Sequence, residues 1–214
     1  MSRTRAVIFD FNGTLSHDEP ILLRIYQELF AENGRPLTAD DYFSQLAGNT
    51  EEAIISGWLD VHGTELAELM AERISRYRHA AADGSTVPAS IRDAVRYAAT
   101  RGPVAIVSGA FRAEIEPVLV AAELTELFAA VVTADDIVNG KPAPDGYLLA
   151  LSRFGELPPD EVVAFEDTEA GVASAKAAGL RCVAVLGTLP AWRLAGADEI
   201  VERIDTALLE RVLS

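Results

Sequence analysis

Apolar residues follow two different rhythms along this chain. Ala6-Val7-Ile8-Phe9 is a short continuous apolar run that stops at Asp10, which predicts a buried strand over residues 5–10. From about Pro20 to Ala82 the apolar positions recur at helical spacing. Leu22, Ile25, Tyr26, Leu29 and Phe30 mark a first helix; Pro20 suits its first turn and Asn33-Gly34 stops it. Thr38 to Asp41 has the form of a capping box ahead of Tyr42, Phe43 and Leu46. Ile54, Ile55, Trp58 and Leu59 mark a third helix, and Leu66, Leu69, Met70, Ile74 and Tyr77 a fourth. Four amphipathic helices in succession predict a small bundle, with Asp83-Gly84-Ser85 as the hinge out of it.

From Val87 onward the rhythm becomes an alternation. Ile91, Ala94, Val95 and Ala98 predict a helix ending at Gly102, and Val104 to Val107 a strand ending at Ser108-Gly109. A helix carrying Ile115, Val118 and Leu119 precedes a short strand near Ala130 to Thr133. Tyr147, Leu148, Leu151 and Phe154 mark the next helix, closed by Gly155. The strand Val162 to Phe165, a helix from about Ala170 to Ala178 and the strand Cys182 to Val185 follow. Such alternation predicts an α/β fold: a doubly wound parallel sheet with helices on both faces. The expected division is a core of residues 1–15 and 87–214, with a helical cap, residues 16–86, inserted after the first strand.

Composition narrows the function classes. Half of the 214 residues are hydrophobic, enough for a substantial core. A net charge of −15 argues against a nucleic-acid backbone binder, although a metal or a few cations can reverse the field in one pocket. The single cysteine, Cys182, lies in an apolar run and reads as a core thiol. The absence of any possible internal disulfide fits a reducing compartment. No stretch has the length of a signal peptide or a membrane span, so the expectation is a cytoplasmic protein with neither membrane nor nucleic acid as partner.

Ligands of an open parallel sheet bind beyond the carboxyl ends of its strands. At those ends stand Asp10 and Asn12, then Ser108 and Gly109, then Lys141 in the loop "NGKPAPD", then Glu166 and Asp167. Close carboxylates repel one another unless a cation joins them, and oxygen ligands with few members suit Mg²⁺. Lys141, Ser108 and backbone N–H groups of glycine-rich turns suit phosphate oxygens. A carboxylate beside a metal can attack phosphorus and form an aspartyl phosphate, so the set reads as phosphoryl transfer. Singly, each residue has a plainer reading: Asp10 as turn chemistry, Ser108-Gly109 as a turn, Lys141 as loop composition, Asp167 or Thr168 as a helix cap.

Four stretches, "FDFNGTL", "IVSGA", "NGKPAPD" and "VAFEDTEAG", resemble in content and order the motifs of the haloacid dehalogenase superfamily, in its subgroup with an inserted helical cap. The resemblance runs nearly end to end. It implies a Rossmann-like core, Asp10 as nucleophile and metal ligand, and the backbone carbonyl of Asn12 as a second ligand. It further implies a Mg²⁺ site completed by Asp167 with Glu166, and Ser108 and Lys141 as holders of the transferring phosphoryl group. The cap would close over a small phosphorylated metabolite. The paired acids Glu166-Asp167 set the chain apart from the metal-free dehalogenases of that superfamily. Its sugar phosphomutases carry a histidine on the first cap helix, whereas "SHDEPILLRIYQ" has only His17, in the linker; phosphatase therefore ranks above phosphomutase. Gln45, Asn49 and Thr50 of the loop "LAGNTEE" region are candidates for reaching the substrate, with helix capping as the alternative for Asn49 or Thr50.

One position departs from the resembled pattern. Phosphatases of this kind carry an aspartate where Asn12 stands, as general acid and base. An amide does not titrate near neutral pH, and the help it replaces is worth ~10² to 10⁴ in rate. Three explanations are open: a substrate with a good leaving group, another residue or water as acid, or a protein that binds a phosphorylated ligand without turning it over.

Overall fold

A computed structural model describes residues 4–214. Six strands form one sheet: β1 (Ala6–Phe9), β2 (Val104–Val107), β3 (Phe128–Val132), β4 (Val162–Glu166), β5 (Arg181–Val185) and β6 (Glu199–Val201). Their spatial order is β3-β2-β1-β4-β5-β6, and every neighbouring pair is parallel. The order reverses between β1 and β4, so a crevice opens at their carboxyl ends.

The helices in chain order are α1 (Glu19–Glu32), α2 (Ala39–Asp41), α3 (Glu51–Leu59), α4 (Gly63–Ala80), α5 (Ala89–Arg101), α6 (Arg112–Ala121), α7 (Asp145–Arg153), α8 (Glu169–Ala177) and α9 (Thr206–Val212). Strand side chains alternate between two buried layers, as a period of two requires. Val7, Phe9, Ile106, Phe165 and Val183 pack with Ile91 and Val95 of α5, Ile115 of α6 and Leu209 of α9. Ile8, Ala105, Val107, Ala164 and Ala184 face Tyr147 of α7 and Val172 of α8. Small residues on that second face bring α7 close: a Cβ on Gly146 would lie 2.8 Å from Val107.

All eight alternating elements expected after residue 87 are present, with bounds shifted by a few residues. Two elements lie beyond that reading, β6 and α9. Helices α1 to α4 form the insertion after β1, with Tyr26, Leu29, Phe30, Tyr42 and Ile55 buried together. Its second helix is shorter than the apolar spacing predicts. Thr38 caps α2 by accepting from Asp41 N at 3.1 Å, but the chain then widens into a π-helical turn, Tyr42–Leu46. Ser44 donates to the Asp40 carbonyl there, and Gly48 at φ +88° ends the segment. The two connections to the insertion touch: His17 N donates to Thr86 O at 2.7 Å and Ser16 Oγ to Thr86 Oγ1 at 2.9 Å. Among the described residues no helix is long and apolar enough to cross a membrane.

Candidate active site

The end of β1 sets the first carboxylate. Asp10 N donates to Phe165 O at 2.9 Å, which continues the β1–β4 pairing by one residue. The chain then turns tightly, with Leu15 N and Ser16 N both donating to Phe11 O. Gly13, at φ +73°, makes this turn possible. A Cβ there would also lie 2.0 Å from Asp167 Oδ2. Across the crevice β4 ends on Glu166, and Thr168 caps α8 by accepting from Gly171 N at 3.1 Å, leaving Asp167 at the junction. Lys141 enters from the loop before α7. That loop is tied down by Ser174 Oγ, which donates to Ala143 O at 2.6 Å.

These groups converge. Lys141 Nζ lies 2.5 Å from Asp10 Oδ1 and 2.5 Å from Glu166 Oε1. Tyr147 OH donates to the same Glu166 oxygen at 2.6 Å. Asp10, Glu166 and Asp167 are buried, and each offers an oxygen within 4.8 Å of the others. Two of the three carboxylates thus share one ammonium, and Asp167 has no cation beside it among the described residues. Burial pushes Asp10 above the usual carboxylate range against the pull of Lys141, and lifts Glu166 to about 7. Burial, with Asp10 and Glu166 adding repulsion, holds Asp167 well above its ordinary value. Burial opposes the charge of Lys141, yet Asp10 and Glu166 raise it above an ordinary lysine. Asp167 Oδ1 accepts from Thr14 Oγ1 at 3.3 Å, while Asp167 Oδ2 and Glu166 Oε2 are buried with no hydrogen-bond partner. Orphaned carboxylate oxygens in an all-oxygen cluster short of positive charge fit a hard divalent cation.

Asn12 is held in one orientation. Its Nδ2 donates to Asp18 Oδ2 at 2.8 Å, and Tyr77 OH donates to the same oxygen. Gly13 N donates to Asp18 Oδ1 at 3.3 Å. The Asn12 Oδ1 is left facing Ser108 Oγ, 3.5 Å away, whose own oxygen accepts from Ala110 N at 3.1 Å. Burial lifts Asp18 to about 6 against these donors. Asp18 is therefore a buried carboxyl one hydrogen bond behind the amide. Its sequence signal is the acidic pair Asp18-Glu19 in "SHDEP", which a search for histidine alone passes over.

A cavity of about 330 Å³ lies over this cluster. Asp10, Asn12, Ser108, Gly109, Lys141 and Asp167 form its floor. Asn49 and Thr50 line its wall, as the sequence suggests, although Thr50 also caps α3 by accepting from Ala53 N at 3.3 Å. Gln45 is not among the lining residues; its exposed side chain donates to Asp41 Oδ1 at 3.0 Å, one helical turn back. Glu19, Glu51 and Arg73 line the same wall and were not singled out by sequence. His17 is exposed, and Arg112 pairs with Asp136 at 2.5 Å on the surface. Cys182 is buried in the core.

The model of the haloacid dehalogenase-like hydrolase family matches residues 4–179. The chain belongs to that family. It is 34% identical over 195 residues to the protein CbbY of Rhodobacter capsulatus, covering 84% of each chain. It is 31% identical over 185 residues to the fructose-1-phosphate phosphatase YqaB of Escherichia coli, covering 86% of this chain and 97% of that one. Among solved structures, CbbY of Rhodobacter sphaeroides in complex with xylulose-1,5-bisphosphate superposes with a TM-score of 0.82 at 27% identity, over 94% of each chain. The six-stranded parallel sheet flanked by helices is this family's Rossmann-like core.

Proposed function

We propose that this hydrolase is a Mg²⁺-dependent phosphatase that acts on a small phosphorylated metabolite through an aspartyl phosphate at Asp10. One observation carries the reading: Asp10, Lys141 and Asp167 meet on the floor of one cavity at the reversal point of the sheet. The named relatives, which handle fructose 1-phosphate or hold a sugar bisphosphate, support a phosphorylated substrate. Residues 16–86 then act as the cap, with the Ser16–Thr86 contact as its hinge.

In this reading Asp10, the Asn12 carbonyl and Asp167 would hold Mg²⁺, with Glu166 beside them. The cation would neutralise charge on the phosphoryl oxygens. Lys141 and Ser108 bind the remaining oxygens of that group. One Asp10 oxygen is oriented by Lys141, and the other attacks phosphorus as the bond to the leaving oxygen breaks. Solvent protonates the departing oxygen; water then attacks phosphorus, loses its proton to solvent and frees the Asp10 carboxylate. The Asn12 Oδ1 accepts a hydrogen bond from the incoming water but takes no proton.

The test is phosphate release from sugar phosphates, nucleotides, phosphoglycolate and acetyl phosphate, with and without Mg²⁺. Release that requires Mg²⁺ is the expected result. A second reading, binding without turnover, is favoured by Asn12 alone. It predicts Mg²⁺-dependent binding with no release over hours. The phosphomutase reading ranks lower because α1 contains no histidine.

Position 12 has its own expected result. Asn12→Asp should raise hydrolysis of an alkyl phosphate by up to ~10²-fold and change acetyl phosphate little, because an acyl phosphate leaves without protonation. A carboxyl there would stand within hydrogen-bonding distance of Asp18, and two such groups share a proton. The pair would thus keep an acid available at neutral pH. Equal effects on both leaving groups would show that position 12 does not supply the acid.

A further inference from the structure

Asp18 is a buried carboxyl that the proposed reaction leaves without a task. It stands at the N-cap of α1, where an aspartate ordinarily accepts from the first free N–H groups of its helix. Here it does not. Its backbone lies in the right-handed helical region, at φ −109° and ψ 0°, and its side chain makes no capping bond. Ile21 N and Leu22 N donate to its backbone carbonyl instead. The carboxyl turns back toward the core and accepts from neutral donors. Asn12 Nδ2, at 2.8 Å, and Tyr77 OH both donate to Oδ2, and Gly13 N donates to Oδ1 at 3.3 Å.

This arrangement decides which end of the Asn12 amide faces the cavity. An amide has a donor end and an acceptor end of nearly the same shape. Both Asp18 oxygens act as acceptors, and the Tyr77 hydroxyl spends its proton on one of them. The Tyr77 oxygen, 3.5 Å from Asn12 Nδ2, is therefore an acceptor toward Asn12 as well. A turned amide would set its Oδ1 against two acceptors and leave them unmatched in a buried space, which is costly. The network thus keeps Nδ2 inward and Oδ1 outward, toward Ser108 Oγ on the cavity floor. Asp18 is not among the residues that line the cavity, so it reaches the site only through this amide.

We propose that Asp18 is a positioning residue that locks the Asn12 amide, with Tyr77 as its brace, so that the site offers the attacking water a fixed hydrogen-bond acceptor. This rests on the phosphatase reading of the same site. The sense of the amide matters to the attack. An acceptor holds a water hydrogen and leaves a lone pair free to point at phosphorus. A donor would occupy that lone pair and turn the water away. Because Tyr77 belongs to α4, the lock also joins the turn after β1 to the helical insertion.

A double-mutant cycle tests it. The full chain with Mg²⁺ is assayed on the compounds it hydrolyses among acetyl phosphate, fructose 1-phosphate and phosphoglycolate. Asp18→Ala should lower kcat about tenfold and change KM little. In an Asn12→Ala background the same substitution should change kcat by less than about twofold, because no amide is left to position. Equal losses in both backgrounds would make Asp18 a structural residue and overturn the proposal, as would an Asn12→Ala variant as fast as the parent. Tyr77→Phe keeps the ring and removes only the hydroxyl; it should act in the same direction with a smaller loss, and it carries the cycle should Asp18→Ala not fold. Side-chain amide NMR reads the lock without turnover. The Asn12 Nδ2 protons, identified by their absence from Asn12→Ala, should exchange slowly with solvent in the parent and much faster in Asp18→Ala and Tyr77→Phe. Exchange unaltered in the variants overturns the proposal. A parent silent on every compound overturns the phosphatase reading instead, and the amide protons then decide the lock by themselves.

Discussion

Asp10→Asn is expected to abolish phosphate release from every substrate, a loss on the order of 10⁴-fold or more, while leaving the metal-free protein at least as stable as the parent. The two effects have one origin. An amide is a poor nucleophile toward phosphorus, so the covalent step is lost. The same change removes one of three clustered buried carboxylates, of which only Asp10 and Glu166 pair with the Lys141 ammonium. Burial is the largest influence on Asp10, and Asp10 in turn repels Asp167. Its neutral replacement relieves that repulsion, and Lys141 keeps Glu166 as a partner. Phosphate release and thermal melting in a chelator check the two halves. Substantial turnover in the variant would remove Asp10 from the nucleophile's role, and a clear fall in metal-free melting temperature would show that the cluster is not short of positive charge.

Gly13→Ala is the second change with a large expected effect. The turn after β1 holds residue 13 at φ +73°, where an L-residue costs about 1–2 kcal/mol. The added Cβ would also lie 2.0 Å from Asp167 Oδ2 and 2.5 Å from Thr188 Oγ1. Asp167 must move, so the variant should lose the rise in melting temperature on adding Mg²⁺ as well as more than about 2 kcal/mol of stability. Gly34→Ala is the built-in comparison. Gly34 has nearly the same backbone angle, φ +77°, but nothing within 4 Å of a Cβ. Urea unfolding of both variants separates backbone strain from the contact with Asp167. Equal losses, with the Mg²⁺ response intact at position 13, would mean that Asp167 is no part of a metal site.

Most of the floor of the site was legible in the sequence because its residues follow buried strands. Asp10, Ser108 and Asp167 stand one residue past β1, β2 and β4, where a short apolar run ends on a polar group. Lys141 was legible only as part of a loop motif; the closure that brings its Nζ between Asp10 and Glu166 spans 131 residues of chain from Asp10. The wall was not legible. Arg73 falls at helical spacing with Leu66, Leu69, Met70 and Tyr77, on the buried face of α4, but nothing near it in the sequence names its partner Glu114, 41 residues away. No local pattern marks such a pair. Gln45 shows the converse: a polar residue beside a promising loop, which folding turns toward Asp41 on its own helix face. At the end of the chain, β6 is a three-residue edge strand with too few residues for alternation to register. The helix α9 did carry a signal, since Asp205 caps it and Leu208, Leu209 and Val212 fall at helical spacing.

Beryllium fluoride tests the central claim without knowledge of the substrate. It forms a tetrahedral adduct on a carboxylate oxygen that resembles a phosphorylated aspartate, and it needs the same neutralising surroundings. Fluorine NMR of the parent with beryllium fluoride and Mg²⁺ should show bound resonances that vanish with a chelator and are missing in Asp10→Asn. Bound resonances that persist in Asp10→Asn, or a parent that shows none in the presence of Mg²⁺, would contradict phosphoryl transfer through Asp10.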